Sequence, residues 1–405
     1  MSGKTTIFAN ARLPDGALVD IGVEAGRIAA ITPAAGAASA AEDFGGALVV
    51  PGFVEGHVHL DTSFHGDAWK PHKPCAAGFN VRERVRFQKE NMAEAAPMRE
   101  RARNQLELCL GHGSTRRRSH VMIDNDVGLS HVEAIREVRE ASADRIDLQL
   151  VAFPQNGIVT NPGTAELLDE AISMGCDLVG GLDPAGFDRD VEAHLDVVFG
   201  LAERRGVGVD IHLHDRGTLG AFEIEEIATR ARALGMAGRV VISHAFALGD
   251  IDAADLARIA GLLAESGVAI MTTAPGARPF PPILPLTAAG VTVFGGNDNI
   301  RDSWWPYGDG DMLRRAMMLG YRSGFNVDEQ LSLALDLVTG AGAKALGLED
   351  YGLRVGASAD FVTLNAAHGP EAVVAVPGGR RVYRAGVLVA RDNAIAPGDL
   401  EARFA

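Results

Sequence analysis

The feature that most constrains this chain is a repeat through its middle. Between residues 49 and 298, short runs of β-branched and apolar residues alternate with longer stretches rich in Ala, Leu, Glu and Arg. The period is about 30 residues, the length of one strand–helix unit. Candidate strands fall at 49–60, 114–123, 147–153, 177–183, 208–214, 239–245, 268–274 and 291–298. Their apolarity is continuous rather than alternating, which suits parallel strands covered on both faces. Stretches such as 81–111 and 223–236 have helical composition. Eight strands, each followed by a helix, close most economically into a (β/α)₈ barrel of the α/β class.

The two ends read differently. Residues 1–48 and 353–405 hold short β-rich runs punctuated by Gly, Asp and Asn, with hairpin-like Ala-Gly and Asp-Gly turns. Because they share a pattern and flank the barrel, they are expected to pair into a discontinuous β-sandwich domain beside a barrel spanning 49–352.

Three classes of function are disfavoured early. A formal net charge of −15 repels phosphate backbones and anionic lipid, and the one basic cluster, Arg116 to Arg118, is too short to override it. Neither nucleic acid nor membrane is an expected partner. No run approaches the roughly 18 apolar residues of a membrane span, and the opening MSGKTTIFANARLPDG lacks a basic region followed by an apolar one. A cytoplasmic location is the expectation. Cys75, Cys109 and Cys176 are odd in number and widely spaced, which argues against disulfides and thiolate metal sites and for apolar fillers.

The chemistry concentrates at strand ends. In PGFVEGHVHLD (51–61), His57 and His59 lie two residues apart, so on a strand both imidazoles leave the same face. The fifth run repeats the alternation: His212 and His214 point inward while Ile211 and Leu213 face the helices. The sixth ends in Ser243-His244 and the eighth in Asn297-Asp298-Asn299. Barrels of this type place their sites at that end. Neutral imidazoles and a carboxylate suit zinc or ferrous iron, and three His plus one Asp leave a coordination position open for water. A second metal would call for a bridging carboxylate or modified lysine on the fourth strand. DLVGGLD offers no lysine and only Asp183, so a single divalent ion is expected.

These residues resemble the amidohydrolase superfamily, in the branch containing cytosine deaminases and the N-isopropylammelide hydrolase of triazine breakdown. The likeness runs through PGFVEGHVHLD, VAFPQNGI, MGCDLVGGLDP, DIHLHDRGT, SHA, NDNIRDSWWPYGDGDM and LRVGASADFVTLNA. It implies the barrel, a sandwich built from both termini, and a metal held by His57, His59, His212 and Asp298. It also implies that Asp298 shuttles the proton of the attacking water, that His244 orients it, and that Gln155 holds a ring carbonyl and ring N–H. A homo-oligomer is implied as well.

Departures within the branch are informative. Cytosine deaminases carry a glutamate where this chain has Asp215, one methylene shorter. If the strand stays regular, residue 215 faces away from 212 and His214 becomes the acid/base. His214 and Asn299 resemble the ammelide hydrolase, whereas Thr62, where that hydrolase has lysine, resembles cytosine deaminases. Asn299 and Trp304 are candidate substrate contacts, and Trp304 or Trp305 could stack on a planar ring. Arg301 and Asp302 read as a structural ion pair, and His112 and His120 as hydrogen-bonded core residues. His65 and His72 fall in a loop after the first strand, with no role assigned. The expectation is a metal-dependent deaminase acting on a small nitrogen heterocycle. A cyclic-amide hydrolase using the same metal is the alternative, and a silent scaffold would be expected to have lost ligands that are all present.

Overall fold

A computed structural model of the chain describes residues 5–35, 42–78 and 80–396. The stretches 1–4, 36–41 and 397–405 of the terminal segments lie outside the described residues. Five strands come first: β1 (Thr6–Arg12), β2 (Leu18–Glu24), β3 (Arg27–Pro33), β4 (Glu42–Asp43) and β5 (Leu48–Pro51). The barrel follows as β6 (Phe53–Val58), β7 (Ser114–Met122), β8 (Asp147–Phe153), β9 (Leu178–Leu182), β10 (Gly208–His212), β11 (Val240–Ser243), β12 (Ala269–Thr272) and β13 (Val293–Gly295). These eight pair in parallel in chain order, with helices between them. Four strands close the chain: β14 (Phe361–Leu364), β15 (Arg381–Arg384), β16 (Val387–Arg391) and β17 (Ala394–Ile395). Among the described residues, no helix is long and apolar enough to cross a membrane.

The terminal strands form one nine-stranded sheet in the order β17-β16-β15-β14-β5-β1-β2-β3, with β4 on β1. Strand alternation gives it two uses. Val49, Phe361 and Tyr383 join Phe8 and Phe44 in the sheet's own aromatic core, where Phe361 and Tyr383 stack at 4.9 Å. Leu48, Val50, Val362 and Val382 face the other way and join the barrel's core.

The run read as one strand at 49–60 is two. Leu48–Pro51 pairs with β14 in the terminal sheet, and Phe53–Val58 pairs with β7 in the barrel. The chain crosses between sheets at Gly52, where any Cβ would fall 2.2 Å from Thr115 Oγ1. Other runs are shorter than read: the ladders end at His212, Ser243 and Gly295 rather than 214, 245 and 298. There the backbone turns out towards the next helix, and Asp183, His244 and Asp298 adopt φ of 37°, 73° and 60°. Left-handed geometry costs a non-glycine residue about 1–3 kcal/mol and collects at functional sites.

Arg116, Arg117 and Arg118 are buried in β7 and form no surface patch. Arg118 Nη1 donates to Asp210 Oδ2 at 3.0 Å, and Arg116 reaches Asp360 at 3.1 Å. Cys109 and Cys176 are buried fillers as read, but Cys75 is only half-buried, in the loop after β6.

The barrel seam joins β6 to the tail of β13. Val58 bridges Asp298, and Asp298 N donates to His57 O at 2.7 Å. Gly296 allows this approach, since a Cβ there would stand 2.7 Å from His57 Cβ. Gly296→Ala is therefore expected to destabilise the fold by about 1–3 kcal/mol, measured by denaturant unfolding.

Candidate active site

The seam brings together the first candidate donors. His57 and His59 leave the same face of β6, and their Nε2 atoms lie 3.6 and 3.3 Å from Asp298 Oδ1. His212, at the end of β10, brings Nε2 to 3.4 Å from His59 Nε2. The donor atoms of His57, His59, His212 and Asp298 all lie within 4.8 Å of one another. Spacings of 3.3–3.6 Å match the edge of a tetrahedron whose arms are about 2.1 Å, the zinc–imidazole length. His57 Nε2 is buried and hydrogen-bonds nothing. The donor set thus fits one divalent ion.

A buried chain fixes the tautomer of His57. Ser243 Oγ donates to Asp210 Oδ1 at 2.7 Å, so it accepts from His57 Nδ1 at 2.9 Å. With its proton on Nδ1, the ring turns an unprotonated Nε2 to the cluster. Burial, with the neighbouring histidines, holds His57 and His212 well below the usual histidine pKa, which keeps both neutral as ligands should be.

A tight cavity of about 30 Å³ opens above the cluster. Its lining brings together His59, His212, Asp298, His214, His244, Gln155, Asn299 and Trp304. His244 Nε2 is buried 4.0 Å from Asp298 Oδ2, and burial together with His214 pushes its pKa down to about 3. His214 receives the opposite treatment. Burial alone would lower it, but the charge of Asp183, bonded to Nδ1 at 2.9 Å, raises it above the ordinary value. Asp215 turns out of the cavity, accepts from Gly186 N at 2.7 Å and sits against Glu223. Burial and Asp215 lift Glu223 to about 9, so this pair holds a proton behind the site.

A model described as the Amidohydrolase family matches residues 40–390. The chain belongs to the amidohydrolase family. It is similar to the N-isopropylammelide isopropyl amidohydrolase of Pseudomonas sp. strain ADP, at 33% identity over 96% of this chain and 98% of that protein. A crystal structure of N-isopropylammelide isopropylaminohydrolase from Burkholderia multivorans matches with TM-score 0.92 and 41% identity, over 97% of this chain and 100% of that one. The 5-methylcytosine deaminase of Klebsiella pneumoniae, liganded with 5-fluorocytosine, matches with TM-score 0.85 and 30% identity, over 97% and 99%.

Within this amidohydrolase-family barrel, several sequence expectations need correcting. Arg301 and Asp302 do not form the expected ion pair. Asp302 accepts from Asn299 Nδ2 at 2.8 Å and from the backbone N–H groups of Trp304 and Trp305. Burial raises its pKa to about 6. The Arg301 guanidinium instead lies over Trp69, 5.8 Å from the ring centroid. His120 is buried against the His57 ring, with centroids 4.0 Å apart, but neither of its nitrogens is hydrogen-bonded. His112 Nδ1 stands 3.8 Å from Asp311, beyond hydrogen-bond range. His57, His120 and Asp210 are also close enough to hold an ion. The Arg118 guanidinium on Asp210 and the Ser243 bond on His57 Nδ1 already engage that group.

Sequence reasoning missed four participants. Gln88 reaches the cavity from the helix Val81–Met92, and its Oε1 accepts from Trp304 Nε1 at 2.6 Å. Nothing in its local sequence marks it. Asp210 was recoverable, because it shares strand parity with His212 and His214. Asp183 stands at the end of the fourth barrel strand, where only its pairing with His214 reveals a use. Asp188 accepts from the backbone N–H groups of Ile158, Val159 and Thr160 and from His194 Nδ1, and so ties down the loop after Gln155. Ser243→Ala, which removes the acceptor for His57 Nδ1, is expected to weaken metal affinity about 10–100-fold in chelator competition.

Proposed function

We propose that this protein is a zinc-dependent hydrolytic deaminase that removes an exocyclic amino or alkylamino group from a pyrimidine- or triazine-like heterocycle. The observation that carries the reading is a single tight cavity in which the three-histidine, one-aspartate donor set faces His214, Gln155 and Asn299. The relatives named above, which act on such rings by name, support it. Zinc is preferred over ferrous iron for a compact imidazole and carboxylate set. When bound, the ion would act as a Lewis acid and lower the pKa of a water towards about 7.

The protein's own groups do the rest. Asp298, itself one of the four donors, takes the proton of the attacking water and later passes it to the leaving nitrogen. His244, neutral at working pH, keeps a lone pair or an N–H for the attacking oxygen. His214, held by Asp183, protonates the ring nitrogen so that no amide anion builds up. The Gln155 amide offers one donor and one acceptor to a ring carbonyl and ring N–H, and Asn299, fixed by Asp302, adds a second amide. Trp304, tethered by Gln88, covers the ring face. The products are the oxo-heterocycle and ammonia or an amine.

The decisive test is a panel of cytosine, isocytosine, ammelide and N-alkyl ammelides with bound metal quantified. Release of ammonia or amine by at least one is expected; ring opening to a carboxylate without amine would identify a cyclic-amide hydrolase instead. His57→Ala and Asp298→Asn are expected to abolish turnover and lose metal while keeping the wild-type circular dichroism spectrum.

His214→Gln should cost about 10²–10⁴-fold in kcat, more than Asp215→Asn. The reverse ranking would sink the assignment of the acid. A general acid works only while protonated, so activity is retained below the His214 pKa and lost above it. The descending limb of the pH–kcat/KM profile should lie above the ordinary histidine value of about 6.5. Asp183→Asn should move that limb to lower pH, because it removes the charge that raises His214.

A further inference from the structure

Gln88, Phe153, Gln155 and Leu182 line only the tight cavity over the donor cluster, about 30 Å³. A second cavity of about 750 Å³ adjoins it. The two share His214, His244, Asp298, Asn299 and Trp304. Asp298 and His244, the groups beside the bond to be broken, line both cavities, whereas Gln155 lines only the tight one. A space of about 30 Å³ is too small for a heterocyclic ring, so the ring itself reaches into the large cavity, and a substituent on the departing nitrogen, beside Asp298 and His244, extends further into it.

The walls of that outer cavity have a definite chemistry. Phe246, Trp305 and Tyr307 supply aromatic surface. Four arginines line it against three aspartates, and Asp298 among the latter faces the metal position. Asp309 and Asp311 are each committed to an arginine, at 2.6 Å from Arg314 and 2.7 Å from Arg380. The Arg278 guanidinium lies over Phe246, another wall residue, at 5.9 Å, and that of Arg301 lies 5.8 Å from Trp69, which is not among the wall residues. A cationic vestibule is unexpected on a protein of net charge −15. Arginine forks against aromatic walls suit carboxylate or phosphate, and a positive mouth on a negative protein gathers anions selectively.

We infer that the leaving group is an amine bearing an anionic arm, such as an amino carboxylate, whose carbon chain crosses the aromatic vestibule and whose charge ends at Arg278 and Arg301. The inference rests on the deaminase reading above. The reaction balances as a hydrolysis: the oxygen of water bonds to the ring carbon, and the ring carbon–nitrogen bond breaks with its electron pair staying on nitrogen. The proton relayed by Asp298 completes the free amine, and nothing is oxidised or reduced.

The test compares N-isopropylammelide, N-(2-carboxyethyl)ammelide and N-(2-phosphonoethyl)ammelide as substrates of the metal-loaded enzyme. At least one anionic substrate is expected to exceed the isopropyl compound by about tenfold or more in kcat/KM, through KM, with the advantage shrinking as salt is added. Which of the two leads tells carboxylate from phosphate. In the Arg278→Met, Arg301→Met double variant the anionic-to-isopropyl ratio should fall below about threefold, and in Arg278→Lys it should be partly kept. Equal kcat/KM for all three, or an advantage indifferent to salt, would overturn the inference and leave the deaminase reading standing. Absence of amine release from every compound, including those of the earlier panel, would overturn both.

Discussion

One backbone hydrogen bond organises this molecule: Asp298 N to His57 O, 2.7 Å, across the seam where the first and last barrel strands meet. It closes the sheet, and it sets the Asp298 carboxylate beside His57 in the candidate donor set. A barrel left open at this point would separate Asp298 from His57 and His59, because that carboxylate and those two imidazoles lie about 240 residues apart in the chain and meet only through closure. The glycine before Asn297 and the left-handed φ of Asp298, 60°, are the local conditions for that contact. Fold and site share the same few atoms, so disturbing one disturbs the other.

The floor of the barrel is polar in a way that has to be complete to be tolerable. Arg118, Asp210, Ser243 and His57 form one buried chain of hydrogen bonds that ends at the metal position. Removing one member of a buried charged pair leaves the other unpaired, at about 3–5 kcal/mol. The chain also does chemical service, since it decides which nitrogen of His57 faces the ion. Glu55 plays a similar part on the other side, accepting from Asn297 N at 2.8 Å and thereby setting the stretch that carries Asp298.

At the strand ends the backbone leaves the sheet in left-handed conformations at Asp183, His244 and Asp298. Each bears a side chain aimed at the cavity or at a residue that lines it. The strain is local, and the packed barrel beneath supplies the stability to hold it. It also explains why His214 and Asp215 part company: β10 ends at His212, yet the following residues keep enough strand character for His214 to face the cavity and Asp215 to turn back towards Gly186 and Glu223.

Much was legible in the sequence because it depends on periodicity. The alternation of buried runs and helical stretches specifies parallel strands, and the i, i+2 spacing of His57 with His59 and of His212 with His214 specifies which side chains share a face. Those two regularities, short in range and insensitive to what lies elsewhere, suffice for the barrel and for the ligand set. What depends on contacts between distant segments was decided only by the tertiary structure. The split of 49–60 between two sheets, the Asp183 support of His214, the arrival of Gln88 from a helix, the unpaired nitrogens of His120 and the loss of the expected Arg301–Asp302 pair are of that kind. None has a periodic signature, because each is set by which strands end beside one another and how far each turns before its helix begins. The sequence by itself determined a barrel with a candidate metal-donor set at its strand ends; closure of that barrel decided which groups hold, orient and charge the residues around that set.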